Sequence, residues 1–115
     1  MSKGKHIIVD AYDLPAELLN DDGRILNILS EVAKKNEVNV INTMRYRFGA
    51  DTPPGCSVIL MIDESHISVH TYSEQGIMAL DIFTCGTRTN TEQIWEDLKE
   101  KFQIQNFKIT KVDRF

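Results

Sequence analysis

The 115-residue chain lacks the long apolar runs and the excess of basic charge that mark membrane or nucleic-acid proteins. No apolar stretch approaches the ~18 residues needed to span a bilayer. The net charge is −4, so no basic field attracts nucleic acid or anionic lipid. The basic residues 1–5 are not followed by the apolar segment of a signal peptide. We therefore expect a cytoplasmic protein that binds neither nucleic acid nor membrane.

Cysteine is also scarce, with only Cys56 and Cys85 in the chain. Two cysteines without secretory features fit a reducing cytoplasm better than a disulfide framework. Low-complexity segments and linkers are missing as well. The length suits one hydrophobic core, so we expect residues 1–115 to form a single domain.

The spacing of apolar residues predicts an α+β fold. Strands are expected at residues 6–12, 38–44, 57–62, 67–72, 77–84 and 107–112. A short turn at 15–19 precedes a helix at 22–35, and a later helix carries Ile94, Trp95, Leu98 and Phe102. The order β-α-β-β-β-β-α-β implies an antiparallel sheet with both helices on one face, a two-layer sandwich.

The hairpin of the fourth and fifth predicted strands indicates which face the helices cover. If Glu74 and Gln75 form a two-residue turn, one face carries mainly apolar side chains: Ile67, Val69, Thr71, Met78, Leu80 and Ile82. The other face carries polar or reactive ones: His66, Ser68, His70, Tyr72, Asp81 and Cys85. This second face is either merely solvated or a functional surface.

The segment 63–67, Asp-Glu-Ser-His-Ile, suggests what that surface does. A serine hydroxyl can attack the carbonyl before it, replacing the amide by an ester. Elimination then gives dehydroalanine, which hydrolyses to a pyruvoyl group and ammonia. The sequence of steps needs a tightly turned peptide, an oxyanion donor and a base. The pyruvoyl carbonyl can form a Schiff base with a substrate amine and accept electrons during decarboxylation, and a thiol can return the proton.

These residues resemble the short prokaryotic S-adenosylmethionine decarboxylases, which are pyruvoyl enzymes. The resemblance rests on segments 63–66, 70–71 and 81–86, and is supported by 4–6, 40–42 and Gly55 with Ser57. It covers nearly the whole chain. It implies a proenzyme that makes decarboxylated S-adenosylmethionine, the aminopropyl donor for spermidine synthesis.

The resemblance also implies a role for each matching position. Cleavage between Glu64 and Ser65 would give a β chain of residues 1–64 and an α chain of 65–115, with the pyruvoyl group at 65. Ser57 and His70 would assist processing, His70 as the base for ester elimination. Cys85 would be the proton donor after decarboxylation. The substrate contacts would include Glu64 and Phe48, the latter stacking on adenine.

The assumed register adds a prediction about assembly. Ser65 lies opposite Thr84 and beside Cys85, whereas a turn at Glu64–Ser65 sets Ser57 opposite Tyr72, near His70. Because His70 pairs with Ala79, it lies ~20 Å from Cys85 along the sheet. One subunit cannot join these two groups, but two subunits packed antiparallel through their polar faces can join them twice. We therefore predict a homodimer with two shared sites. The same separation argues against an intrachain zinc site built from His66, His70 and Cys85.

The chain departs from the family pattern near the expected substrate site. Its loop at 49–55 is longer, with Pro53 and Pro54 inserted, and Asp63 replaces a small polar residue. Ser73 stands where proline is common. Two alternatives therefore stay open: a pyruvoyl-dependent arginine or ornithine decarboxylase on the same scaffold, and a non-catalytic binding homologue that keeps Ser65 uncleaved.

Overall fold

A computed structural model describes residues 3–86 and 89–115. Its six strands are β1 (Gly4–Tyr12), β2 (Val40–Phe48), β3 (Gly55–Ile62), β4 (Ser65–Tyr72), β5 (Ile77–Cys85) and β6 (Asn106–Arg114). All neighbours are antiparallel, in the order β2-β3-β4-β5-β1-β6. The helices are α1 (Ala16–Leu19), α2 (Asp22–Lys35) and α3 (Thr91–Phe102). The predicted α+β sandwich is confirmed.

The two long helices begin at side-chain caps and bury one apolar face. Asp21 caps α2 by accepting a hydrogen bond from the Arg24 backbone N–H at 2.9 Å, and Asn90 caps α3 in the same way. They pack on the same face of the sheet, α2 against β2 and β3 and α3 against β1 and β5. None of the helices in the described ranges is long and apolar enough to cross a membrane.

A buried threonine joins the central strands to α1. Thr71 donates its hydroxyl hydrogen to the Leu19 carbonyl at 2.6 Å and accepts a hydrogen bond from the Cys56 backbone N–H at 2.9 Å. Cys56 is itself fully buried, and desolvation raises the pKa of its thiol. The expectation that Cys56 behaves as a small hydrophobic residue agrees with this environment.

The structure confirms one predicted register and corrects another. The β4–β5 pairing runs from His66 opposite Phe83 to Tyr72 opposite Ile77, as expected. The β3–β4 turn, however, consists of Asp63 and Glu64, not of Glu64 and Ser65. A slip of two residues leaves every side chain on its own face, so the apolar pattern alone does not distinguish the two registers.

The second strand also differs from its predicted bounds of 38–44. β2 continues to Phe48 through Arg45, Tyr46 and Arg47. It lies at the edge of the sheet and pairs only with β3, so long charged side chains are tolerated along it. As a consequence, Phe48 pairs with Gly55 and lies at the end of a strand rather than in a loop.

Candidate active site

The sheet face opposite the helices carries the polar residues that the hairpin pattern predicted. The side chains of Ile67, Val69, Thr71, Met78, Leu80 and Ile82 are buried beneath the helices. The alternate positions are exposed or half-buried: His66, Ser68, His70, Tyr72, Asp81 and Cys85. This open face also holds large exposed apolar side chains from β2 and β3: Met44, Tyr46 and Met61. It is therefore more apolar than a solvated face needs to be.

Ser65 begins β4 directly after a strained turn. Glu64 has a φ of 63°, in the left-handed region that side chains other than glycine rarely adopt. The Ser65 hydroxyl oxygen accepts a hydrogen bond from the Cys85 backbone N–H at 3.1 Å. This hydrogen bond ties the Ser65 side chain, at the end of the turn, to the end of β5. Ser65 and Cys85 thus form the first cluster, as the sequence predicted.

Ser57 and His70 form the second cluster, on β3 and β4. They pair directly across the two strands, where the sequence register had set Ser57 opposite Tyr72. Ser57 Oγ and His70 Nδ1 are 2.7 Å apart, a strong hydrogen bond. The correction of the register therefore brings this serine and histidine closer together than the predicted pairing did.

The two clusters lie at opposite ends of the β4–β5 hairpin. His70 pairs with Ala79, and Cys85 lies six residues further along β5. At ~3.3 Å per residue this is a separation of roughly 20 Å. One copy of the chain therefore does not unite the four residues. Among the described residues, no group of three or more His, Cys, Asp or Glu side chains gathers in the manner of a metal site.

A cavity of about 460 Å³ opens near the Ser57–His70 cluster. It is lined by Phe48, Thr52, Pro53, Pro54, Tyr72, Glu74 and Gln75. Two aromatic rings and one carboxylate suit a ligand with a flat ring and hydroxyl groups. Phe48, predicted from the sequence, is thus in a cavity, whereas Glu74 was missed. Its position on the turn four residues after His70 was the available signal.

Around Cys85, a further set of rings covers the open face. His6 Nε2 is 3.3 Å from Asp81 Oδ2, and the His6 ring packs edge-on against Phe83. His66 completes a cluster of three rings, with its centroid 5.6 Å from that of Phe83 and 6.4 Å from that of His6. Asp81 is therefore engaged by His6, which gives this histidine a structural partner.

Comparisons with known proteins agree with the geometry. The model of the family described as S-adenosylmethionine decarboxylase matches residues 5–115. An S-adenosylmethionine decarboxylase proenzyme of Archaeoglobus fulgidus is 34% identical over 114 residues, covering 99% of both chains. One of Thermococcus gammatolerans is 35% identical over 111 residues, covering 96% of this chain and 76% of its own.

A solved structure shares the fold. The adenosylmethionine decarboxylase of Aquifex aeolicus superposes with a TM-score of 0.87 at 23% identity, covering 98% of this chain and 91% of that one. At this identity the likeness supports the fold alone. The family is carried by the sequence matches, which extend over almost the whole length. This chain belongs to the S-adenosylmethionine decarboxylase family.

Proposed function

We propose that the chain is a self-processing decarboxylase of S-adenosylmethionine whose cofactor is a pyruvoyl group made from Ser65. The observation that carries the proposal is the Ser65 hydroxyl, held by the Cys85 N–H at the end of a left-handed turn. Family membership identifies the substrate class. The residues present fit a pyruvoyl group. The precursor Ser65 directly follows the left-handed Glu64, and its hydroxyl is bound by the backbone N–H of Cys85.

Self-processing would begin with the addition of Ser65 Oγ to the carbonyl carbon of Glu64. The C–N bond breaks, the hydroxyl proton ends on the Ser65 nitrogen, and an ester replaces the amide. A base then removes the Cα proton of residue 65 and its Cβ–Oγ bond breaks, so that Oγ leaves in the new C-terminal carboxylate of Glu64. Residue 65 becomes dehydroalanine, and water converts it to pyruvoyl and ammonia. The products are residues 1–64 and a blocked chain of 65–115.

His70 is the proposed base for the elimination, and Ser57 its positioning partner through the 2.7 Å hydrogen bond. The pyruvoyl group would supply a carbonyl that condenses with the substrate amine and accepts the electron pair left by carbon dioxide. The Cys85 thiol, half-buried beside Ser65, would return a proton to the substrate carbon. A cytoplasmic location suits this role, because a reducing compartment keeps the thiol free.

The cavity near His70 is the proposed site for the nucleoside part of the substrate. The ring of Phe48 would stack on adenine, and the Glu74 carboxylate would accept hydrogen bonds from the ribose hydroxyls. Glu64, exposed at the cleavage turn, would contact the substrate from the other cluster. The product would be the aminopropyl donor for spermidine synthesis.

The positions of the clusters support a two-fold dimer. Two copies packed antiparallel through their open faces would set Ser65 and Cys85 of one against Ser57 and His70 of the other. The apolar side chains on that face support this assembly, since Met44 and Tyr46 are 67% and 69% exposed in the single chain. Each dimer would then contain two complete sites.

Mass spectrometry of the intact protein, with an assay of carbon dioxide release, tests the proposal. We expect two fragments and a blocked N-terminus at residue 65, with decarboxylation of S-adenosylmethionine. The family match does not favour the arginine and ornithine alternatives, which the same assay compares directly. In Ser65→Ala, both cleavage and activity should be lost. An uncleaved but active Ser65→Ala protein would refute pyruvoyl catalysis.

A further inference from the structure

The turn that carries the Glu64–Ser65 bond is poorly matched to its hairpin. Two-residue hairpin loops favour turns of types I′ and II′, which require a positive φ at both loop residues or at the first. Of the two loop residues, both within the described chain, only the second, Glu64, has a positive φ. A turn of this kind does not match the twist of the strands, so contacts from outside the hairpin must hold it.

Asn39, the residue before β2, makes two such contacts with the first loop residue. Its side-chain Nδ2 donates to Asp63 Oδ2 at 2.8 Å. Its carbonyl oxygen accepts the Asp63 backbone N–H at 3.2 Å. On the other side of the scissile bond, Ser65 Oγ accepts the Cys85 N–H. The residues on both sides of Glu64 are thus anchored, one to the start of β2 and the other to the end of β5.

An open cleft of about 450 Å³ lies at this turn and is lined by Asn39, Asp63, Glu64 and Cys85, among others. Asn39 belongs to neither of the two clusters described above, and its side-chain hydrogen bond goes to Asp63 rather than to Ser65. Its influence on the reaction must therefore act through the conformation of the turn.

We propose that Asn39 is a positioning residue for self-processing, because its contacts with Asp63 hold Glu64 in the left-handed conformation beside the Ser65 hydroxyl. The inference rests on the proposed function and deepens it. The step affected is the first one, in which Ser65 Oγ joins the Glu64 carbon, the C–N bond breaks and the proton moves to nitrogen. A turn that relaxes spends less time in the reactive geometry, and the rate falls accordingly.

The test follows the cleavage of freshly translated chain by mass spectrometry over time. Asn39→Ala removes the side-chain hydrogen bond, and we expect cleavage to slow about three- to tenfold, the effect of one such bond. The uncleaved chain should resist hydroxylamine, since it is still an amide. The exchange of Asn39→Asp with Asp63→Asn restores the bond with donor and acceptor reversed, and should return the rate toward that of the wild type.

Asn106→Ala is the matched control. The Asn106 amide donates to Asp13 Oδ2 at 2.7 Å, an exposed Asn–Asp pair like the first but remote from the cleavage turn. We expect wild-type cleavage in this variant. Denaturation midpoints of both alanine variants, measured in the Ser65→Ala background, separate positioning from stability: they should be similar although only Asn39→Ala cleaves slowly.

Three results would overturn the inference while the proposed function stands. These are wild-type cleavage in Asn39→Ala, equal slowing in Asn106→Ala, and no recovery in the exchanged pair. Accumulation of a hydroxylamine-sensitive ester in Asn39→Ala would also overturn it, since the affected step would then be the elimination. A wild-type chain that never cleaves would overturn both the inference and the proposed function.

Discussion

At the scale of a single residue, the hydrogen bond between Ser57 and His70 holds the proposed base in one orientation. If His70 removes the Cα proton, His70→Ala should still form the ester but slow its elimination by about 10² to 10⁴, the usual contribution of a general base. The trapped ester should be cut by hydroxylamine into two fragments, with serine at the new N-terminus, as mass spectrometry would record.

Ser68→Ala is the control for this variant, because Ser68 lies on the same strand and the same open face, one alternate position from His70. It should process at the wild-type rate. Pyruvoyl formation at the normal rate in His70→Ala would remove His70 from the role of base. A slow variant without a hydroxylamine-sensitive species would assign it to the earlier step.

The sequence could predict the strand residues of the candidate site and Glu64 in the β3–β4 turn, but not the other loop residues. Ser65 meets Cys85 because strand register follows from a two-residue turn. Asn39 could not be predicted, because its hydrogen bond to Asp63 depends on loop conformation, which no periodic pattern encodes. The left-handed φ of Glu64 was likewise invisible, since glutamate has no preference for that region.

At the scale of elements, Asp97 on α3 links this helix to the C-terminal end of α2 by hydrogen bonds. Its buried carboxylate accepts hydrogen bonds from Asn36 at 3.0 Å, Gln93 at 2.9 Å and Lys35 at 3.3 Å. The hydrogen bond from Asn36 lowers the pKa of Asp97 from its ordinary value of 3.8. Burial of the carboxylate opposes this shift, and the hydrogen bonds from Gln93 and Lys35 add to it. The ionised form is therefore the one that stabilises the packing of the helices.

Asp97→Asn should lower the free energy of unfolding by about 1.5–3 kcal/mol at neutral pH, the range for hydrogen bonds to a charged group. Because the folded-state pKa is depressed, the wild-type advantage should be complete above the unfolded value near 4 and should shrink as the pH falls through the folded pKa. Urea denaturation between pH 7 and pH 3, in the Ser65→Ala background, measures this difference.

Asp113→Asn provides the comparison, since Asp113 forms an exposed ion pair with Lys5 and should contribute little. An Asp97→Asn protein as stable as the wild type at pH 7 would contradict the proposed role of this network.

The helix α2, which the Asp97 network joins to α3, was predicted at its observed bounds from apolar spacing. The edge strand β2 was not, because one-sided pairing removes the constraints that make a strand recognisable.

For the whole molecule, the proposed dimer predicts that two inactive variants rescue each other. A mixture of Cys85→Ala and His70→Ala chains, expressed together, gives hybrid dimers in which one of the two shared sites is intact. With random assortment, half of the dimers are hybrids, so about a quarter of wild-type decarboxylation should return. The carbon dioxide assay measures it.

Cys85→Ala mixed with Ser65→Ala should recover no activity, because both changes lie in the same cluster. If neither mixture recovered decarboxylation activity, the proposal of shared sites would be contradicted. The separation of the two clusters, on which the proposed dimer rests, was predictable from register alone. The apolar character of the open face was not, because it depends on β2 lying beside β3 and adding Met44 and Tyr46 to the surface.

The strand order has one more consequence. Scission after Glu64 would assign β1, β2 and β3 to one polypeptide and β4, β5 and β6 to the other. However, β1 lies between β5 and β6 in the sheet and pairs with both of them. The nick falls in a turn, so it removes no ladder. The two polypeptides would therefore stay associated through the backbone hydrogen bonds of the sheet and could separate only if the sheet unfolded. Self-cleavage would create two new chain ends without destabilising the fold.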